Sequence, residues 1–149
     1  MDQEYFMNYA YQQALKAYKN GEVPVGAILV NNGKIIAKSF NSQIKKNDPS
    51  AHAEINVLRY AGKKINNYRL VDSTLYVTLE PCIMCFGAII HARIKELVFG
   101  AYDSKIGVIS SQKSLLDSKT FNHSIEITGG VMKNECGALI KEFFLNKRN

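Results

Sequence analysis

The fold is decided by residues 74–91, which read TLYVTLEPCIMCFGAIIH. Residues 74–79 are rich in β-branched and aromatic side chains, which predicts a strand. Pro81 interrupts that strand, and the apolar residues of 82–91 recur at helical spacing, which predicts a helix. A strand followed directly by a helix indicates an α/β domain, and it places Cys82 and Cys85 at the amino-terminal end of the helix.

The residues before this unit predict a helix, a hairpin and a second helix. Residues 2–19 have apolar side chains at helical spacing, and 25–30 with 35–39 flank a turn of Asn and Gly. A helix is predicted to begin with Asp48 as its cap and Pro49 in its first turn, and to end at Gly62. This helix carries His52 and Glu54 in its opening turns.

The residues after this unit predict two further strands and a closing helix. The strands are expected at 97–100 and 125–128, and the polar connection between them, 101–124, is long enough to suggest a functional segment. Leu139, Ile140, Phe143 and Phe144 predict an amphipathic helix ending at 147–148. The whole order predicts one three-layer α/β/α domain over residues 1–149, with a mixed five-stranded sheet.

Charge, apolar runs and cysteine content limit the kinds of protein that this sequence can encode. The 149 residues include 19 Lys and Arg against 13 Asp and Glu, a net charge of +6 that favours an anionic partner without identifying it. No apolar run is long enough to span a bilayer and the amino terminus does not resemble a secretory signal, so a cytoplasmic protein without a membrane partner is expected. Three cysteines do not suggest a disulfide framework.

Two short segments carry the candidate chemistry: His52-Ala53-Glu54 and Pro81-Cys82-Ile83-Met84-Cys85. One imidazole and two thiolates suit zinc, and three protein ligands leave the fourth tetrahedral position open for water. Zinc makes that water acidic, and Glu54 is the candidate carrier of its protons. Residues two apart on an ideal helix point in different directions, so the spacing alone does not bring His52 and Glu54 into one pocket.

Other interpretations of these residues are also compatible with the sequence. A Cys-x-x-Cys pair also occurs in structural zinc sites and in redox proteins, and a non-catalytic zinc or RNA-binding module would not need Glu54. Cys136 is predicted to be a buried core thiol, and His91 a cap or surface residue. Phe143 and Phe144 are adjacent, so they cannot both face the core, and one is available to a partner.

Longer segments carry a family resemblance. His-x-Glu with Pro-Cys-x-x-Cys is the signature of the zinc nucleobase deaminases. More narrowly, the chain resembles the bacterial tRNA-specific adenosine deaminases of the cytidine/deoxycytidylate deaminase superfamily, which convert the wobble adenosine of an arginine tRNA to inosine. The similar segments are EVPVGA (22–27), DPSAHAEI (48–55), NYRL (67–70), LYVTLEPC (75–82) and VFGA (98–101).

The resemblance implies a cytidine-deaminase-like fold and a set of site residues. It implies one zinc ion per subunit, held by His52, Cys82 and Cys85, with Glu54 as the proton shuttle. The substrate-binding residues that it implies are Asn41 and Ala53 at the base, and Asp103, Lys105, Asn122, His123 and Phe144 along the RNA. Tyr102 and Ile106 depart from the family pattern.

The resemblance also implies partners. They are a tRNA anticodon stem-loop and a second copy of the chain, and no nucleotide cofactor is expected. The alternative within the superfamily is a deaminase of a free base or nucleoside, guanine or cytosine. Thr78-Leu79-Glu80, which precedes Pro81, resembles the adenosine branch.

Overall fold

A computed structural model of the protein describes residues 2–109 and 123–147, and the elements are given for these residues. The helices are α1 (Gln3–Lys19), α2 (Gln43–Lys46), α3 (Ala53–Ile65), α4 (Ile83–His91) and α5 (Lys133–Lys147). The strands are β1 (Gly26–Asn31), β2 (Lys34–Phe40), β3 (Ser73–Leu79), β4 (Glu96–Ala101) and β5 (Glu126–Thr128). None of these helices is long and apolar enough to cross a membrane.

The strands form one mixed sheet in the order β2-β1-β3-β4-β5. β1 is antiparallel to both β2 and β3, where Ala27 pairs with Val77. β3, β4 and β5 run parallel, and Val77 pairs with Phe99. The carboxyl ends of β3 and β4 therefore lie at the same edge of the sheet, which confirms the predicted mixed sheet and its central strand-to-helix unit.

Alternating side chains divide the core between the two faces of the sheet. On one face, Leu29, Val77 and Phe99 pack with residues of α3 and α4. On the other, Ile28 and Tyr76 pack with residues of α1. α5 lies on the same face as α1, since its Phe143 ring packs on Tyr18. The predicted three-layer α/β/α arrangement is confirmed.

Gly26 shows how closely α1 approaches the sheet. A Cβ at this position would overlap the Ala10 carbonyl oxygen and the Ala14 nitrogen. Glycine is required here because the α1 backbone lies directly on the start of β1.

The predicted start of α3 is wrong. Asp48 does not cap a helix, because its side chain accepts the Ser50 N–H at 2.9 Å and the Ser50 hydroxyl at 2.7 Å within a local turn. The helix begins at Ala53, and His52 is its N-cap residue, with φ −71° and ψ 156°. α4 likewise begins one residue later than predicted, with Cys82 as its N-cap. α2 was not expected from the sequence.

Candidate active site

Three possible metal ligands lie close together where α3 and α4 begin. His52 precedes α3, Cys82 precedes α4, and Cys85 lies in the first turn of α4. Their ligand atoms all lie within 4.8 Å of one another. The strand-to-helix turn after β3 places both cysteines at the carboxyl edge of the sheet, and α3 brings His52 to the same edge.

The spacing of these atoms fits a zinc ion. The Cys82 and Cys85 sulfur atoms lie 3.8 Å and 3.4 Å from His52 Nδ1. Tetrahedral zinc, with bonds of about 2.3 Å to sulfur and about 2.0 Å to nitrogen, sets these atoms roughly 3.5 Å apart. Within the described part of the chain, no other group of His, Cys and acidic residues is arranged to hold a metal ion. The three residues can therefore ligate one zinc, and two of them, His52 and Cys82, line the pocket described below.

A hydrogen bond between the two cysteines shifts their pKa values in opposite directions. A hydrogen bond from Cys85 lowers the pKa of Cys82 to about 4, and the same contact raises the pKa of Cys85. The hydrogen bond with Cys82 also raises the pKa of His52. Both cysteines would hold a divalent cation as thiolates, so metal binding at this site would release protons.

Glu54 lies beside the metal ligands in the first turn of α3. Its side chain is buried, with 4% of the residue exposed. Burial raises the pKa of Glu54 to about 7, and the interaction with the Cys85 side chain opposes part of this rise. His52 has extended backbone while Glu54 is helical, which explains how residues two apart line the same pocket.

The pocket in front of this group has a volume of about 690 Å³. Residues from distant parts of the chain line this pocket. His52, Glu54 and Cys82 line the pocket. So do four other residues that the family resemblance implies: Asn41, Asp103, Lys105 and Phe144. Ala53 is buried, and its N–H donates to the Asn41 side-chain oxygen at 2.8 Å.

One of the implied RNA-contact residues that the structure describes is not brought to this pocket. His123 lies at the opposite edge of the sheet, where its Nε2 atom is 2.7 Å from the carbonyl oxygen of Ile94, just before β4. Asn122 lies outside the described residues. RNA contact by either residue stays a prediction.

The pocket also contains residues to which the sequence analysis assigned no role in the site. Gln43 in α2 and Glu80, directly after β3, both line it. Glu22 stabilises α2, because its buried carboxyl group accepts the N–H groups of Ile44 and Lys45 at 3.1 Å and 2.9 Å. Gln43 had no sequence signal, since α2 is too short for a periodic pattern.

Three predictions outside the metal group are confirmed. Cys136 is buried, which raises the pKa of its thiol to about 12. Phe143 is 6% exposed and Phe144 is 45% exposed, so one of the pair remains available at the pocket. His91 is exposed at the end of α4.

Comparison with known protein families identifies relatives over most of the chain. Residues 1–101 match the family described as the cytidine and deoxycytidylate deaminase zinc-binding region. The tRNA-specific adenosine deaminase of Haemophilus influenzae is 51% identical over 146 residues, which cover 97% of this chain and 84% of the relative.

Solved structures of deaminases also superpose on this chain. A structure from work on A-to-I editing by tRNA:A34 deaminases at the wobble position of transfer RNA superposes with a TM-score of 0.88 and 41% identity, covering 91% of this chain and 98% of that one. A guanine deaminase from Bacillus subtilis superposes less closely, with a TM-score of 0.63 and 31% identity over 100% of this chain and 96% of that one.

Proposed function

This chain belongs to the cytidine and deoxycytidylate deaminase family, and we propose on that premise that it hydrolyses the wobble adenosine of a tRNA anticodon to inosine. The observation that carries the proposal is Glu54, a buried carboxyl group in the same pocket as a three-ligand zinc site. A structural zinc or redox site would not require this carboxyl group. The high identity to tRNA-specific adenosine deaminases supports adenosine in tRNA as the substrate.

The chemistry replaces the amino group at C6 of adenine with the oxygen of water. Bound zinc supplies the acidity that makes water a nucleophile near neutral pH. Glu54 takes a proton from the attacking water and delivers it to the adjacent ring nitrogen. It then transfers the second proton to the amino group, which leaves as ammonia. Its pKa, raised by burial to about 7, suits a group that both accepts and donates protons at neutral pH.

Other pocket residues hold the base and the RNA. Asn41 and Ala53 lie beside Glu54 and orient the adenine ring. Asp103, Lys105 and the exposed Phe144 form the outer part of the pocket, where they contact the flanking nucleotides. An unpaired anticodon base can enter such a pocket without the cost of opening a duplex.

A second copy of the chain covers the outer face of α4 in this proposal. Ile83 and Met84, between the two cysteines, are 52% and 39% exposed, so this face of α4 presents two adjacent apolar side chains. Light scattering on the purified protein should give twice the mass of one chain, whereas a monomer at working concentration would contradict the homodimer. A tRNA substrate is consistent with the expected cytoplasmic location.

The substrate class is tested by a direct comparison. The zinc-loaded protein is incubated with an anticodon stem-loop that carries adenosine at the wobble position, and separately with free guanine, cytosine and adenosine. Inosine in the stem-loop without ammonia release from the free compounds supports the proposal. Turnover of guanine or cytosine with an unmodified stem-loop contradicts it and assigns the chain to free-base deamination.

A further inference from the structure

Glu80 is a buried acidic residue that the chemistry above does not use. It follows β3 directly and lies at the inner end of the pocket, with 2% of the residue exposed. Its Oε1 atom accepts the backbone N–H of Asp103 at 2.9 Å. The carboxyl group therefore joins the end of β3 to the segment that follows β4.

That segment, residues 102–107, forms one side of the pocket and is called the wall loop. It is closed by local hydrogen bonds: the Asp103 carbonyl accepts the Gly107 N–H at 2.9 Å, and the Asp103 side chain accepts the N–H groups of Lys105 and Ile106 at 3.1 Å and 3.3 Å. The Val108 N–H then donates to the Pro81 carbonyl at 2.9 Å. Both ends of the wall loop are thus attached beside Glu80.

Gly107 shows how tightly the wall loop surrounds the carboxyl group. A Cβ at this position would overlap the Glu80 carboxyl carbon and its Oε1 atom. The loop backbone therefore passes in direct contact with Glu80, in a space that only glycine fits. Through this contact, Glu80 sets the position of Tyr102, Asp103 and Lys105, which line the outer pocket.

We propose that Glu80 is a positioning residue that fixes the wall loop in the conformation that receives RNA. It acts on substrate binding through the loop and not on the proton transfers of Glu54. This inference rests on the proposed tRNA substrate, and it predicts that loss of the carboxyl group affects KM much more than kcat.

The test compares Glu80→Ala with Glu80→Gln in the zinc-loaded protein, with Glu126→Ala on the exposed start of β5 as the matched control. Loss of one such hydrogen bond should raise KM for the anticodon stem-loop about tenfold, with kcat changed less than about threefold. Gln keeps one acceptor oxygen and should raise KM less. Hydrogen exchange of the peptide containing residues 102–109, measured without RNA, should accelerate in Glu80→Ala and not in Glu126→Ala.

A second pair of variants keeps the proposal testable if Glu80→Ala does not fold. Gly107→Ala pushes on the same carboxyl group from the loop, whereas a Cβ at Gly137 in α5 would meet nothing nearer than 3.7 Å. Gly107→Ala should raise KM and accelerate exchange in the wall loop. Gly137→Ala should do neither.

The outcomes separate this inference from the proposed function. If the wild-type protein forms no inosine, the proposed function fails, while the hydrogen-exchange comparison still tests the attachment of the wall loop. If the wild type is active, an unchanged KM in folded Glu80→Ala or Gly107→Ala overturns the positioning role. A fall in kcat together with loss of zinc also overturns it, because the effect would then pass through Cys82.

Discussion

The side-chain oxygen of Asn41 accepts the backbone N–H of Ala53 at 2.8 Å, and both residues are buried. This bond ties the residue after β2 to the first residue of α3, which separates His52 from Glu54. The direction of the metal ligand and that of the carboxyl group therefore depend on the same contact. Asn41 also lines the pocket, so one residue both supports the start of α3 and forms part of the pocket wall.

Asn41→Ala should destabilise the protein and loosen its zinc. The Ala53 N–H would lose its partner in a buried position, which costs about 1–3 kcal/mol. Denaturant unfolding and zinc content measure the two effects. Asn8→Ala on the exposed face of α1 is the control, and equal stability of the two variants would contradict the role given to Asn41.

Cys82→Ala should abolish stable zinc binding. Two remaining ligands cannot close a tetrahedral site, and the folded state would lose the stabilisation that bound metal contributes. Elemental analysis after gel filtration should show well under one zinc per chain, with a lower melting temperature. Cys136→Ala is the matched control and should keep its zinc, because Cys136 lies in the core away from the ligand group.

Removal of zinc by a chelator should expose thiols in a defined order. The half-buried Cys82 should react rapidly with a thiol reagent once the metal leaves, whereas Cys136 is 1% exposed and should stay unreactive until the protein unfolds. Thiol titration before and after chelation measures this. Equal reactivity with and without zinc would mean that Cys82 is not a ligand.

Lys105→Ala should weaken stem-loop binding and reduce its dependence on salt. A lysine that contacts one phosphate releases about one counterion, so the slope of log affinity against log salt should fall by about 1. Lys34→Ala, at the start of β2 and exposed away from the pocket, is the control and should leave the slope unchanged. A slope equal to the wild-type value in Lys105→Ala would exclude a phosphate contact by this residue.

The sequence predicted the elements that depend on periodic apolar patterns. The helix after Pro81, the hairpin and the closing amphipathic helix follow from apolar spacing and turn residues, and the structure confirms them. The start of α3 could not be predicted, because Asp48 and Pro49 are equally compatible with a helix cap and with the turn in which Asp48 binds Ser50.

The metal ligands carried a stronger signal than the pocket around them. His52, Cys82 and Cys85 have residue types and spacing that few functions share. Glu80 and Glu22 act through backbone N–H groups of segments far away in sequence, and such contacts become visible only when the chain is folded. The sequence also could not show that His52 and Glu54 line the same pocket, because this depends on His52 being extended and Glu54 being helical.

In the proposed mechanism, Glu54 moves protons in a pocket whose zinc is held by other residues. The most direct test is inosine formation in an anticodon stem-loop by Glu54→Gln, with zinc content measured on the same sample. We expect one zinc per chain, as in the wild type, with turnover lowered by a factor of about 10² to 10⁴ or more. Near-wild-type turnover by zinc-loaded Glu54→Gln would contradict it.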